Sequence, residues 1–122
     1  MNDFSHKNIV VTGAASGVGA AVVRRTSELG AQVIGLDINQ GIGESVGNAK
    51  GGQFYHCDVS DVASWQETAT TLNDRFGSID HLHLNAGIQI APPEAPLGDY
   101  QFSAMNLARY KKMTGVNIDG VV

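Results

Sequence analysis

An α/β chain built on a doubly wound parallel sheet is what this sequence predicts, and three observations carry the prediction. Short runs rich in Val, Ile and Leu alternate with segments of helical periodicity. A glycine-rich turn, Thr12-Gly13-Ala14-Ala15-Ser16-Gly17-Val18-Gly19, lies where the first apolar run gives way to the first helical segment. An acid, Asp37, closes the second apolar run.

The elements follow in order. Asn8-Ile-Val-Val-Thr12 is a β-branched run ended by Gly13, hence a buried strand. Gly17 to Leu29 keeps Arg24, Arg25 and Glu28 on its outer side and stops at Gly30, a natural helix C-cap. Residues 31–36 form a second strand ending at Asp37, and the glycine-interrupted segment 39–48 makes a weak helix. Residues 53–57 form a third strand, followed by Asp58-Val59. Ser60 or Asp61 caps the next helix, whose shared face carries Trp65, Ala69, Leu72 and Phe76. Ile79 to Leu84 is a fourth strand that runs into Asn85-Ala86-Gly87. Residues 88–105 contain Pro92, Pro93 and Pro96 and read as a long surface loop. Asn106 then caps a final helix that carries Leu107, Tyr110, Met113 and Asn117 toward Val122. Alternation of this kind implies parallel strands joined by right-handed crossovers.

With 122 residues the chain makes one domain, 1–122, and a domain of this size buries roughly two-thirds of its unfolded surface. Apolar residues make up 43% against 16% charged, a balance that suits strands buried on both faces. The net charge is -4 and only Lys111-Lys112 bring two cations together, so no nucleic-acid partner is expected. Cys57 is the one cysteine, which excludes an internal disulfide and fits a reducing compartment. The first residues lack the charge and apolar pattern of a signal peptide. No apolar run approaches the roughly 20 residues that span a bilayer. A cytoplasmic chain with no membrane partner is the expectation.

Glycines suit the first turn because they permit a tight reversal, let an anionic group approach the backbone, and let the helix pack close to the strand. The N–H groups of the helix start then face that anion, with the helix dipole assisting. The spacing is G-x-x-x-G-x-G. No Gly-Lys-Ser/Thr follows, which excludes a triphosphate P-loop.

Taken together, four segments in register resemble the short-chain dehydrogenase/reductase family, over essentially the whole chain. They are the glycine-rich turn, Asp37 about 20 residues beyond it, Asp58-Val59 after the third strand, and Asn85-Ala86-Gly87 after the fourth. The resemblance implies a Rossmann-type sheet whose first four strands are ordered 3-2-1-4, with NAD as cofactor. On that pattern Gly13, Gly17 and Gly19 receive the pyrophosphate, with Ser16 and Val18 beside them. Asp37 accepts from the adenosine ribose hydroxyls, next to Ile38. Asp58 and Val59 contact the adenine, and Asn85, Ala86 and Gly87 lie beside the cofactor's ribose.

Asp37 also bears on cofactor choice. The extra phosphate of NADP would meet a like charge there, at a cost of several kcal/mol, and residues 38, 39 and 40 offer no Arg or Lys to offset it. The implied reaction is reversible hydride transfer between NAD(H) and a small alcohol or carbonyl substrate, in a full-length form expected to be a homo-oligomer. Val116-Asn117-Ile118-Asp119-Gly120 matches the family's helix segment in which Asn117, a member of the catalytic tetrad, helps hold a water in a proton relay.

The family's catalytic Ser and its Tyr-x-x-x-Lys pair have no match. Four residues beyond Tyr55, Tyr100 and Tyr110 stand Val59, Ala104 and Thr114, and Ser103 falls in or near the long loop. Since family members are roughly twice this length, the sequence reads as their cofactor-binding half, cut in mid-helix and inactive alone. The uncovered edge of its fourth strand is expected to make it unstable or self-associating. The alternatives are a non-catalytic nucleotide-binding or assembly module, an inactive remnant, and a Rossmann-like methyltransferase, the last of which fits Gly13, Gly17, Gly19 and Asn85-Ala86-Gly87 less well. Leu84 and His83 depart from the family, which often has Asn and Val there. His81 and His83 share a strand face, but two histidines without a third ligand do not make a metal site, and no metal is expected. Cys57 reads as a buried strand-end residue and Trp65 as part of a helix's core face.

Overall fold

Side chains alternate across β1 (Asn8–Thr12), and this alternation sets up the two sides of the molecule. In the computed structural model, which describes residues 3–47, 52–88 and 107–121, Ile9 and Val11 enter one core with Ala14, Val23 and Val33. Val10 enters the other, with Ile34, Leu36, Cys57, Val59 and Leu72. Each fully buried side chain of this size contributes about 1.5–3 kcal/mol, and Val11, Val23, Val33, Ile34 and Leu36 are all 0% exposed.

β2 (Gln32–Asp37), β3 (Gln53–His56) and β4 (His81–His83) complete a four-stranded sheet ordered β3-β2-β1-β4. All three pairings are parallel, with Val10 opposite Ile34 and Leu82, and Gly35 opposite Phe54. The order expected from the family resemblance is the order found. α1 (Gly17–Glu28) covers one side through Val23, beside α2 (Gln40–Gly47), whereas α3 (Val62–Phe76) covers the other through Leu72, Trp65 and Phe76. Both faces of β1 and β2 are therefore covered, as parallel strands require.

The structure refines several of the sequence expectations. The expected helix over 39–48 is found as two turns, and Gly43 lets it press on β3: a Cβ there would fall inside the Phe54 ring. On α3 the inward row is Trp65, Thr68, Leu72 and Phe76, with Thr68 and Leu72 buried, Trp65 and Phe76 half-buried, and Ala69 exposed. The i+3 neighbour of Trp65 lies nearer the centre of the stripe than the i+4 neighbour. Of the two caps proposed for this helix, Asp61 takes the role, its carboxylate accepting from the Ala63 N–H at 3.1 Å.

β4 is shorter than the expected 79–84. Its entry is held by a side chain: Asp80 accepts from the Asn8 N–H at 2.8 Å, while its own N–H donates to the Asn8 carbonyl at 2.9 Å. The Asn8 N–H, aided by Lys7 at 3.5 Å, holds the Asp80 carboxyl below the usual carboxylate range.

The last helix also departs from expectation. α4 (Leu107–Thr114) gives way to a wider π turn, Gly115–Asp119, in which the Gly120 N–H reaches back five residues to the Gly115 carbonyl at 2.8 Å. Gly115 favours α-helix poorly. Gly120 then lies so close to Val59 that a Cβ would sit 2.7 Å from its Cγ2. The expected cap Asn106 and nearly all of the expected long loop lie outside the described residues. Among the described residues, no helix is long and apolar enough to cross a membrane.

Candidate functional site

A cavity of about 580 Å³ opens at the carboxyl ends of β1, β2 and β3, where ligands bind in open α/β sheets. Its first wall is the glycine-rich turn. Gly13 leaves β1 with φ 67, a left-handed conformation that side chains resist. A Cβ on Gly13 would meet the Ala86 Cα at 2.8 Å, and one on Gly19 would overlap the Gly13 carbonyl oxygen. The missing side chains thus bring α1 against the end of β1 and β1 against the segment after β4. Ser16, at the N-cap of α1, is extended and its side chain makes no capping bond, and the first turn holds no acid. An anion is the natural partner of such a helix start.

The second wall is Asp37. One carboxylate oxygen accepts from the Ala15 N–H at 2.9 Å and the other from the Asn39 N–H at 3.0 Å. The carboxylate ties the end of β2 to the glycine-rich turn and keeps lone pairs for a ligand hydroxyl, since each oxygen can accept more than one bond. Ile38 beside it is exposed at the rim.

Asp58 and Val59 form the third wall. Asp58 accepts from the Ser60 N–H at 3.0 Å and its hydroxyl at 2.6 Å, while the Asp58 N–H donates to Ser64 Oγ at 2.9 Å. The Trp65 indole N–H donates to the Val59 carbonyl at 2.9 Å. Trp65, read from sequence as a core residue, thus also fixes this loop. Leu36, Cys57, Val59 and Val116 give the cavity an apolar floor suited to a flat ring.

The fourth wall is the segment after β4. The buried Thr12 hydroxyl accepts from the N–H groups of both Asn85 and Ala86, each at 3.0 Å. Asn85 Nδ2 donates to the Gly13 carbonyl at 3.4 Å. Asn117 holds the far end: its Oδ1 accepts from the Ile88 N–H at 2.8 Å and its Nδ2 donates to the Ile88 carbonyl at 2.9 Å.

Of the sequence-chosen residues, Gly13, Ser16, Val18, Asp37, Ile38, Asp58, Val59, Asn85, Ala86 and Gly87 line the cavity. Gly17, Gly19 and Asn117 do not: Gly17 makes a left-handed turn in open space, Gly19 packs beneath Gly13, and Asn117 acts through Ile88. Sequence reasoning missed the Thr12 hydroxyl, Asn39, Ser60 and Lys112. Thr12 carried a signal, being a polar residue at the end of an apolar strand. Among the described residues, no group of three or more His, Cys, Asp or Glu could hold a metal ion.

Comparison with known proteins gives this geometry a lineage. Residues 7–122 match the short chain dehydrogenase family. A mitochondrial borneol dehydrogenase from Lavandula x intermedia is 33% identical over 94% of this chain and 42% of its own length. A 2,5-dichloro-2,5-cyclohexadiene-1,4-diol dehydrogenase from Sphingobium indicum is 33% identical over 98% of this chain and 46% of its own. Among solved structures, a short chain dehydrogenase/reductase from Burkholderia phymatum in complex with NAD superposes with a TM-score of 0.84 at 25% identity, covering 99% of this chain and 42% of that one. A 3-ketoacyl-(acyl-carrier-protein) reductase from Brucella melitensis complexed with NADH gives 0.83 at 28% identity, covering 98% and 47%. The chain spans less than half the length of these relatives. With its sheet order, its glycine-rich turn and this match along nearly its whole length, the chain belongs to the short chain dehydrogenase family.

Proposed function

We propose that the chain is the NAD(H)-binding part of an oxidoreductase that interconverts a small alcohol and its carbonyl compound. The observation that carries this reading is the placing of Asp37, whose carboxylate lines the cavity while anchored by the N–H groups of Ala15 and Asn39. So held, it can accept from the two hydroxyls of an adenosine ribose, and it would repel a phosphate in their place. The open start of α1 would take the pyrophosphate, with Gly13, Ser16, Gly17, Val18 and Gly19 around it. Ile38, Asp58 and Val59 would enclose the adenine, and Asn85, Ala86 and Gly87 would support the ribose nearer the reacting end.

Bound NAD(H) supplies the hydride acceptor or donor. This chain's residues would bind and orient it, and Asn117, which fixes the Ile88 backbone, would stand at the end nearest that chemistry. Its proposed part in a proton relay rests on the family. None of the three tyrosines has a lysine four residues on, so the chain alone is proposed to bind without turnover. It is further proposed to act as a homo-oligomer in its full-length form, and in the cytoplasm, where the free, buried Cys57 stays reduced.

Titration of the full chain with NADH and NADPH, followed by nicotinamide fluorescence, tests the reading. NADH is expected to bind at least about tenfold more tightly, and Asp37→Ala is expected to shrink that preference. Absence of NADH binding to the folded chain overturns the proposal. An unchanged preference in Asp37→Ala overturns the role given to Asp37 alone.

A further inference from the structure

Lys112 lines the same cavity, although no motif drew attention to it. Lys112 stands on α4 and Val116 on the π turn that follows, and both line the cavity. Val116 packs against the core cluster that contains Val59 and Cys57, while Lys112 is exposed, so the two residues give this wall of the cavity an apolar inner side and a cationic solvent edge. The neighbouring Lys111 does not line the cavity.

Among the described residues, the charged groups lining the cavity are Asp37, Asp58 and Lys112. Both acids are engaged, Asp37 by the N–H groups of Ala15 and Asn39 and Asp58 by Ser60. Other cations are committed elsewhere: Lys7 to Asp80 at 3.5 Å, Arg25 to Glu28 at 3.6 Å, and Arg75 over the Tyr55 ring at 5.7 Å. Lys112 makes no ion pair among the described residues, so its ammonium is left to act on whatever enters. A dinucleotide brings a pyrophosphate with two negative charges into a site where the two carboxylates oppose it. Among the described residues, the ammonium and the N–H dipoles of α1 favour it.

We propose that the charge of Lys112 raises the cavity's affinity for anionic dinucleotides without fixing their shape. The inference rests on the function proposed above and adds to it a residue on a different element from the glycine-rich turn. An exposed ammonium acts through solvent, so its effect is modest and falls with salt.

The test measures NADH affinity of the full chain and of Lys112→Arg, Lys112→Ala and Lys112→Glu at about 0.02 M and about 0.5 M salt. At low salt Lys112→Arg is expected to match the parent. Lys112→Ala should weaken binding about threefold, and Lys112→Glu about tenfold. At high salt the differences should fall below about twofold. Equal affinity of all four proteins at low salt overturns the role of Lys112 while leaving the NAD(H) proposal standing. A loss that persists at high salt assigns Lys112 to packing and overturns the charge argument. Failure of the folded parent to bind NADH removes the proposed function, and this inference with it.

Discussion

The middle of the sheet and its β4 edge belong to one parallel ladder, yet they are stabilised by different means. Along β1 and β2 the side chains of Val11, Val33, Ile34 and Leu36 are completely buried. All three residues of β4 are exposed, Leu82 at 53%. Burial therefore fixes the middle, while the edge is fixed by point contacts: Asp80 on Asn8 at its start, Thr12 on Asn85 and Ala86 at its end, and Asn117 on Ile88 beyond. The cavity spans both regions. Its adenosine side is built on the core, and its Asn85–Ile88 side hangs on polar tethers.

The largest effect that separates the two regions is expected from truncating apolar side chains in each. Leu36→Ala should destabilise the chain by about 2–5 kcal/mol, and Leu82→Ala by no more than about 0.5 kcal/mol, as read from urea denaturation midpoints. Comparable losses at both sites would show that β4 contributes to the core after all. Next comes the tether at the end of β4. Thr12→Val keeps the shape but removes the acceptor for two half-buried N–H groups, each bond worth about 0.5–1.5 kcal/mol. The Asn85 and Ala86 amides should exchange with deuterium faster while those of β2 keep their protection. If β2 loosened equally, the two regions would be one cooperative unit.

The smallest effect concerns acid. Asp80 has its carboxyl held below the ordinary value of 3.8 by the Asn8 N–H and then by Lys7. A depressed pKa contributes stability that is present above the unfolded value and lost as the pH falls through the folded one. The thermal midpoint should therefore drop on acidification below about pH 4. Asp80→Asn should flatten that part of the profile, with no change in it excluding Asp80 as a contributor.

What the sequence revealed follows the same division. β1 has the expected bounds, because a β-branched run closed by Gly13 leaves little choice, and Asp37 stands at the end of β2 as its position in the pattern implied. Periodicity reports burial, so it traces the middle of the sheet well. It could not show that Gly43 serves contact with Phe54, a purpose visible only once β3 lies beside α2. Nor could it reveal the tethers: that the Thr12 hydroxyl faces Asn85, or that Asn117 grips Ile88, depends on residues 73 and 29 positions apart respectively. The place of Lys112 at the cavity was not legible, because a lysine in an exposed helix has no periodic signature.

The π turn at Gly115–Asp119 has a consequence for how sequence positions are counted. Its wider turn accommodates one residue more than an α-turn would, and one residue corresponds to about 100° of rotation in an α-helix. A helical wheel drawn unbroken from Leu107 to Val121 is out of phase past Gly115, placing Ile118 and Val121 on directions they do not take. Alignments that close up or open a single residue here change which side chains face the cavity, even where every aligned letter matches.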